Sequence, residues 1–155
     1  MADANEAKQY IVVELGNELY GIDIQYIDNI VRMQRITRVP KAQAYYKGVI
    51  NLRGEVIPVM SLRKRFELEE AEFTNKTRIL IIKPESQSSV GIIVDAVKEV
   101  LSLEADQIDK PKVDANDEKS AYLLGVGKKD ENLISILNVI SVIAEKEKEN
   151  ENQNN

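Results

Sequence analysis

Few side chains in this sequence can do chemistry. The 155 residues include no His, no Cys and no Trp, which removes an imidazole base, a thiolate nucleophile, zinc held by His or Cys, and any disulfide framework. Carboxylate, lysine, serine and tyrosine chemistry remains. The closest acidic pairs are Asp23 with Asp28 and Asp95 with Glu99. General acid and base work needs carboxyls positioned and tuned by their surroundings, whereas these four lie at strand ends or links, where a carboxylate is solvated. Gly125-Val126-Gly127 comes nearest to a phosphate loop, but it lacks the third glycine and sits in a strand-like segment instead of opening a helix. No run of alternating acids around a Gly matches a calcium loop. The residues predict no catalyst, no metal ion and no cofactor.

Charge is the other candidate chemistry. Residues 32 to 65 carry nine basic side chains (Arg32, Arg35, Arg38, Lys41, Lys47, Arg53, Arg63, Lys64, Arg65) and one acid, Glu55, in a chain of net charge −5. A segment of net charge +8 suits docking to an acidic partner, because complementary potentials steer encounter and fix orientation. Acids from elsewhere in the fold could equally pair with it. With Tyr45 and Tyr46 beside it, the segment also fits a small-barrel module that binds nucleic acid by stacking bases on aromatic rings. The overall acidity and the short supply of aromatics, two Phe and six Tyr, weigh against that alternative, and no nucleic acid is expected as a partner.

The elements that must position these residues are strands. Ile and Val make up 33 of the 155 residues and fall in short runs punctuated by Gly, Asn and charge. Tyr10 to Leu15 and Glu18 to Ile24 flank Gly16-Asn17, where Gly supplies the positive φ of a type II′ turn. Gly48 to Leu52 and Glu55 to Met60 flank Arg53-Gly54. Arg78 to Lys83 and Val90 to Val94 flank a polar loop, and Leu123 to Val126 and Leu133 to Leu137 flank Lys128 to Asn132. Short helices are predicted over Ala42 to Lys47, over Leu62 to Leu68 behind a Ser61 N-cap, and from Val139 to Lys146 behind an Asn138 N-cap.

The second half repeats the first in pattern. YGIDIQYIDNIV from Tyr20 aligns with VGIIVDAVKEVL from Val90, so that Gly21 meets Gly91, Ile27 meets Val97 and Ile30 meets Val100. GVINLRGEVIPVMSL from Gly48 aligns with GVGKKDENLISILNV from Gly125, with one extra residue expected in the second turn. Two small barrels packed together would bury the aliphatic faces and remove most open edges. Residues 1–9 and the tail 145–155 are too poor in apolar surface to fold alone and read as flexible, the tail as partly helical at most. That leaves 10–144 as the folded unit, with approximate repeats 10–68 and 76–144 and strands free to exchange between barrels. No basic stretch followed by an apolar run opens the chain. The uncharged stretch Asn132 to Ala144 spans 13 residues, short of the roughly 18 that a bilayer requires, and a cytoplasmic protein is expected.

The segment Leu19 to Phe66, with YGIDI and then KGVINLRGEVIPVMSL from Lys47, resembles the CheW-type coupling proteins of bacterial chemotaxis. The likeness continues through Val90 to Leu103, Tyr122 to Gly127 and Ile136 to Val139, and its specific part is NLRG within GVxNLRGxxxPVxxL. The resemblance implies a mainly β, non-catalytic adaptor of two five-stranded barrels with short helices and a C-terminal helix. Such an adaptor joins the cytoplasmic tip of methyl-accepting chemoreceptors to the regulatory domain of the histidine kinase CheA, and reaches membrane receptor arrays only through those receptors. The family's groove between barrels receives the receptor's helical hairpin, an amphipathic helix laid in an apolar groove. Its matching positions here are Ile11, Ile24, Ile27, Ile30 and Val97; core packing is the alternative for these, above all for Ile11 and Val97. The NLRG turn carries over as Asn51, Leu52, Arg53 and Gly54. A turn asks only for backbone geometry, so arginine at 53 points to recognition of a carboxylate. Asn29 stands where an acidic residue is expected, and no kinase-facing residue can be placed.

Overall fold

A computed structural model of the protein describes residues 7–40, 42–85, 87–110 and 121–144. Along them run β1 (Lys8–Leu15), β2 (Glu18–Asp23), β3 (Ile27–Arg32), β4 (Tyr46–Leu52), β5 (Glu55–Ser61), α1 (Leu62–Arg65), β6 (Arg78–Ile82) and β7 (Val90–Val94). They continue with β8 (Ala96–Leu103), β9 (Ile108–Asp109), β10 (Leu123–Lys129), β11 (Asn132–Leu137) and α2 (Val139–Ile143). Two sheets result. The first has the order β8-β1-β2-β11-β10-β9 and the second β3-β6-β7-β5-β4. The chain lays two strands in the first sheet, crosses over for the next five, and returns, so each sheet is built from both halves of the sequence.

The internal repeat holds to single residues. β2 runs parallel to β11 with Gly21 opposite Ile136, and β7 runs parallel to β5 with Gly91 opposite Val59. β3 skips Asp28 against β6, pairing Ile27 with Ile82 and Asn29 with Ile81. β8 skips Lys98 against β1 in the same way, pairing Val97 with Val13 and Glu99 with Val12. The β4–β5 and β10–β11 hairpins share a bulge before Gly48 and Gly125. Those glycines are required: a Cβ at Gly48 would strike the Thr37 carbonyl oxygen, and one at Gly125 would lie 2.6 Å from that of Asp109. Thr37 and Asp109 belong to the segments that bridge onto β4 and β10.

Three expectations need correction. Leu52 faces Glu55 and Lys129 faces Asn132, so both turns contain two residues, Arg53-Gly54 and Asp130-Glu131. The extra residue expected in the second turn is absent because the strands run on through polar Lys129 and Asn132. Ala42 to Lys47 is not a helix. Its C-terminal part is drawn into β4, where Tyr46 pairs with Met60 and the Tyr45 carbonyl accepts from the Ser61 N–H at 2.8 Å. The sheets also do not close as hydrogen-bonded five-stranded barrels among the described residues: the first gains the two-residue β9, and the second ends at β3 and β4. The capped helices form as expected but are short. The Ser61 hydroxyl accepts from Lys64 N–H, the Asn138 side chain accepts from Ser141 N–H, and Glu67 at φ +59° closes off α1.

Alternation along the strands sorts the core into three clusters. Tyr10, Val12, Leu101, Leu103, Ile134 and Ile136 pack on one face of the first sheet, and Ile50, Ile57, Val59, Ile79, Ile81 and Ile93 pack on one face of the second. The other faces meet in a larger cluster that includes Ile11, Val13, Tyr20, Ile22, Leu80, Ile82, Ile92 and Val94 and is closed by α1 and α2. Arg65 completes this junction without an acid. Almost fully buried, it donates from Nε to the Val142 carbonyl and from a terminal nitrogen to that of Ala144, both at 2.8 Å, and lies 4.4 Å over the Tyr45 ring. It thereby caps the open carbonyls at the end of α2 from the other half of the fold.

Candidate functional site

Three of the four carboxylates that might have formed acid and base pairs are committed elsewhere. Asp95 takes Arg63 in a two-pronged pair, 3.0 Å from Nε and 2.6 Å from a terminal nitrogen, and accepts the Gly16 N–H at 2.8 Å. Burial works to raise its pKa, but the hydrogen bonds from Arg63 and Gly16 and the guanidinium charge together hold it below the usual carboxylate range. The same bond keeps Arg63 above its ordinary value against the opposing effect of burial. Glu99 pairs with Lys129 at 2.9 Å, Asp23 caps the 3-10 turn Ile24–Tyr26 through the Gln25 N–H, and Asp28 is exposed on a bulge. No group of three His, Cys, Asp or Glu among the described residues is placed to hold a metal ion. Gly125-Val126-Gly127 lies inside β10.

The apolar candidates fall differently. Ile27 and Ile30 sit on β3, an end strand of the second sheet, and Val97 sits on β8, an end strand of the first; all three are half-buried against the inter-sheet cluster. Ile24, in the 3-10 turn leading into β3, is 37% exposed. Ile11 is 5% exposed and belongs to that cluster itself, so it supports this face from beneath and does not reach the surface. Directly across from Ile11 on β8 stands Val100, 51% exposed. Val100 aligns with Ile30 in the repeat and is exposed where Ile30 is half-buried.

Asn51, Arg53 and Gly54 lie apart from this face, at the β4–β5 tip, where Leu52 packs on the cluster within the second sheet. Both turn residues take positive φ, Arg53 at +54° and Gly54 at +82°, and the Asn51 side chain accepts the Gly54 N–H at 3.2 Å. Glycine adopts this conformation freely; for arginine it costs about 1 kcal/mol or more. Acids from outside the basic segment partly neutralise it, Glu70 meeting Lys47 at 2.6 Å and Asp95 meeting Arg63, while Arg65 is buried against the carbonyls at the end of α2. Lys41 lies outside the described residues. Tyr45 and Tyr46 pack on each other, ring centres 5.0 Å apart, and are half-buried, which leaves no open stacking platform for bases.

Residues 9–147 match the model of the CheW-like domain. The chain belongs to the CheW family. The chemotaxis protein CheW of Treponema pallidum is 33% identical over 150 residues, covering 95% of this chain and 88% of that one. CheW of Bacillus subtilis is 32% identical over 142 residues, covering 92% and 90%. The crystal structure of the scaffolding protein TtCheW from Thermoanaerobacter tengcongensis superposes with a TM-score of 0.80 at 34% identity, covering 90% of each chain. The family is one of non-catalytic adaptors in chemotaxis signalling, with this β-rich, two-sheet fold. Among the described residues no helix is long and apolar enough to cross a membrane.

Proposed function

We propose that this protein couples chemoreceptors to the histidine kinase CheA, with the apolar face between β3 and β8 receiving the helical hairpin of the receptor's cytoplasmic tip. The carrying observation is that Ile27 and Ile30 from one sheet and Val97 from the other pack against one buried cluster from two end strands, with exposed Val100 opposite buried Ile11. Side chains in that setting offer apolar contact without being needed to hold the core together. A helix with apolar residues at a spacing of three and four fits such a face. Arg53, held on a rigid tip at the expense of backbone strain, supplies a second contact through a carboxylate of the assembly. In this reading the protein works in the cytoplasm and reaches the membrane only through the receptors it holds.

Pull-downs with a receptor tip fragment and with the CheA regulatory domain test the proposal. Binding to both, with no nucleotide turnover, is expected. Binding to neither, or ATP hydrolysis by the protein, would overturn it.

A further inference from the structure

We infer that a second, charge-driven docking site lies in the cleft between α1 and the segment leading into β4, and that its occupant is an acidic peptide segment of a protein partner. The cleft measures about 280 Å³ and is lined by Arg38, Val39, Pro40, Ala42, Gln43, Ala44, Tyr46 and Lys64. Among the described residues it therefore holds two cations, no acid, and a lining that is otherwise mostly small and aliphatic.

Three cations of the basic segment have partners within the fold. Lys47 has Glu70, Arg63 has Asp95 and the Glu69 carbonyl, and Arg65 has the end of α2. Arg38 and Lys64 are exposed, no carboxylate among the described residues lies within ion-pair distance of either, and both face one cleft. Arg32, Arg35 and Arg53 also have no carboxylate within ion-pair distance among the described residues, but only Arg38 and Lys64 of these converge on the cavity. Two positive charges with an aliphatic lining suit a segment carrying two or more carboxylates beside a short apolar side chain. A nucleic acid fits less well. Among the described residues the cleft's one aromatic ring, Tyr46, is half-buried against Tyr45 and offers no open face for a base to stack on. The site is distinct from the β3–β8 face and does not depend on what that face binds.

The test is fluorescence anisotropy of a labelled ten-residue peptide of alternating Glu and Leu, titrated with the full chain at low salt. The double variant R38E/K64E should weaken binding at least tenfold. Arg35→Glu makes a like charge reversal at an exposed position outside the cleft and should weaken binding no more than about threefold, the long-range contribution of one screened charge. Circular dichroism should show all variants folded, since both cleft cations are exposed. Equal weakening by R35E and the double variant, or none by either, would overturn the site. So would an oligonucleotide or pyrophosphate that displaces the peptide at lower concentration than free glutamate peptide does, because the cleft would then be a phosphate site.

Discussion

The two places where the chain turns from an inner strand to an end strand are equivalent by the repeat and opposite in character. After β7 the chain passes straight through Asp95 into β8. Val94 is fully buried and Asp95 is clasped by Arg63 and the Gly16 N–H. After β2 the corresponding residues form a 3-10 turn capped by Asp23, and Ile24, the counterpart of Val94, is pushed out to 37% exposure. One crossing fastens the β1–β2 turn of one sheet to α1 beside the other, while the other crossing adds an isoleucine to an apolar surface that already holds Ile27 and Ile30. The backbone plan is common to both halves, so features that appear in one half alone are not demanded by the fold and are the better guide to function.

That contrast can be broken in graded ways. Ile11 and Leu80 occupy equivalent buried positions opposite Val100 and Ile30. Truncation of either to Ala should cost about 2–5 kcal/mol in urea unfolding; a cost near zero at Ile11 would show it to be a contact residue and not core. Asp95→Asn should cost about 2 kcal/mol at neutral pH, whereas Asp23→Asn should cost under about 0.5 kcal/mol, because asparagine caps a turn as well as aspartate.

The same pair separates on acidification. The folded pKa of Asp95 lies below its unfolded value, so the stabilisation it provides is complete above the unfolded value of about 3.9 and drains away as pH falls through the lower folded one. From about pH 5 to pH 2 the wild type should lose more stability than Asp95→Asn does, and parallel denaturation curves would contradict the clasp. The smallest effect concerns the hairpin tips, where Arg53 at φ +54° matches Asp130 at φ +56°. Aspartate tolerates the left-handed region better than arginine. Arg53→Gly should therefore raise stability by about 0.5 kcal/mol and Asp130→Gly should leave it nearly unchanged in thermal melts.

Much of this is legible in the sequence. The Gly16 and Gly54 turns and the Ser61 and Asn138 caps followed from residue type and spacing, because each rests on a local rule, and the equivalence of Ile27 and Val97 followed from the repeat. What was hidden depended on partners distant in sequence. Nothing near Ala42 to Lys47 announces that Ser61 will claim the Tyr45 carbonyl, so a helix-forming composition there was overridden by pairing with β5. Arg63 and Arg65 look alike in sequence; only the fold gives one a carboxylate and the other the end of a helix. Ile11 could not be told from Val100 by type, since the two face each other across a ladder and differ only in which strand lies at the edge.

The central claim is that the β3–β8 face carries the receptor contact. Its most direct test is receptor control of CheA activity, reconstituted with the wild type and with I27S/I30S while thermal melts are recorded in parallel. Two half-buried side chains on an end strand should lower stability by about 1–2 kcal/mol and leave the fold intact. Receptor binding and receptor control of the kinase should be lost while binding to the CheA regulatory domain remains. Full receptor control in the folded double variant would contradict that claim.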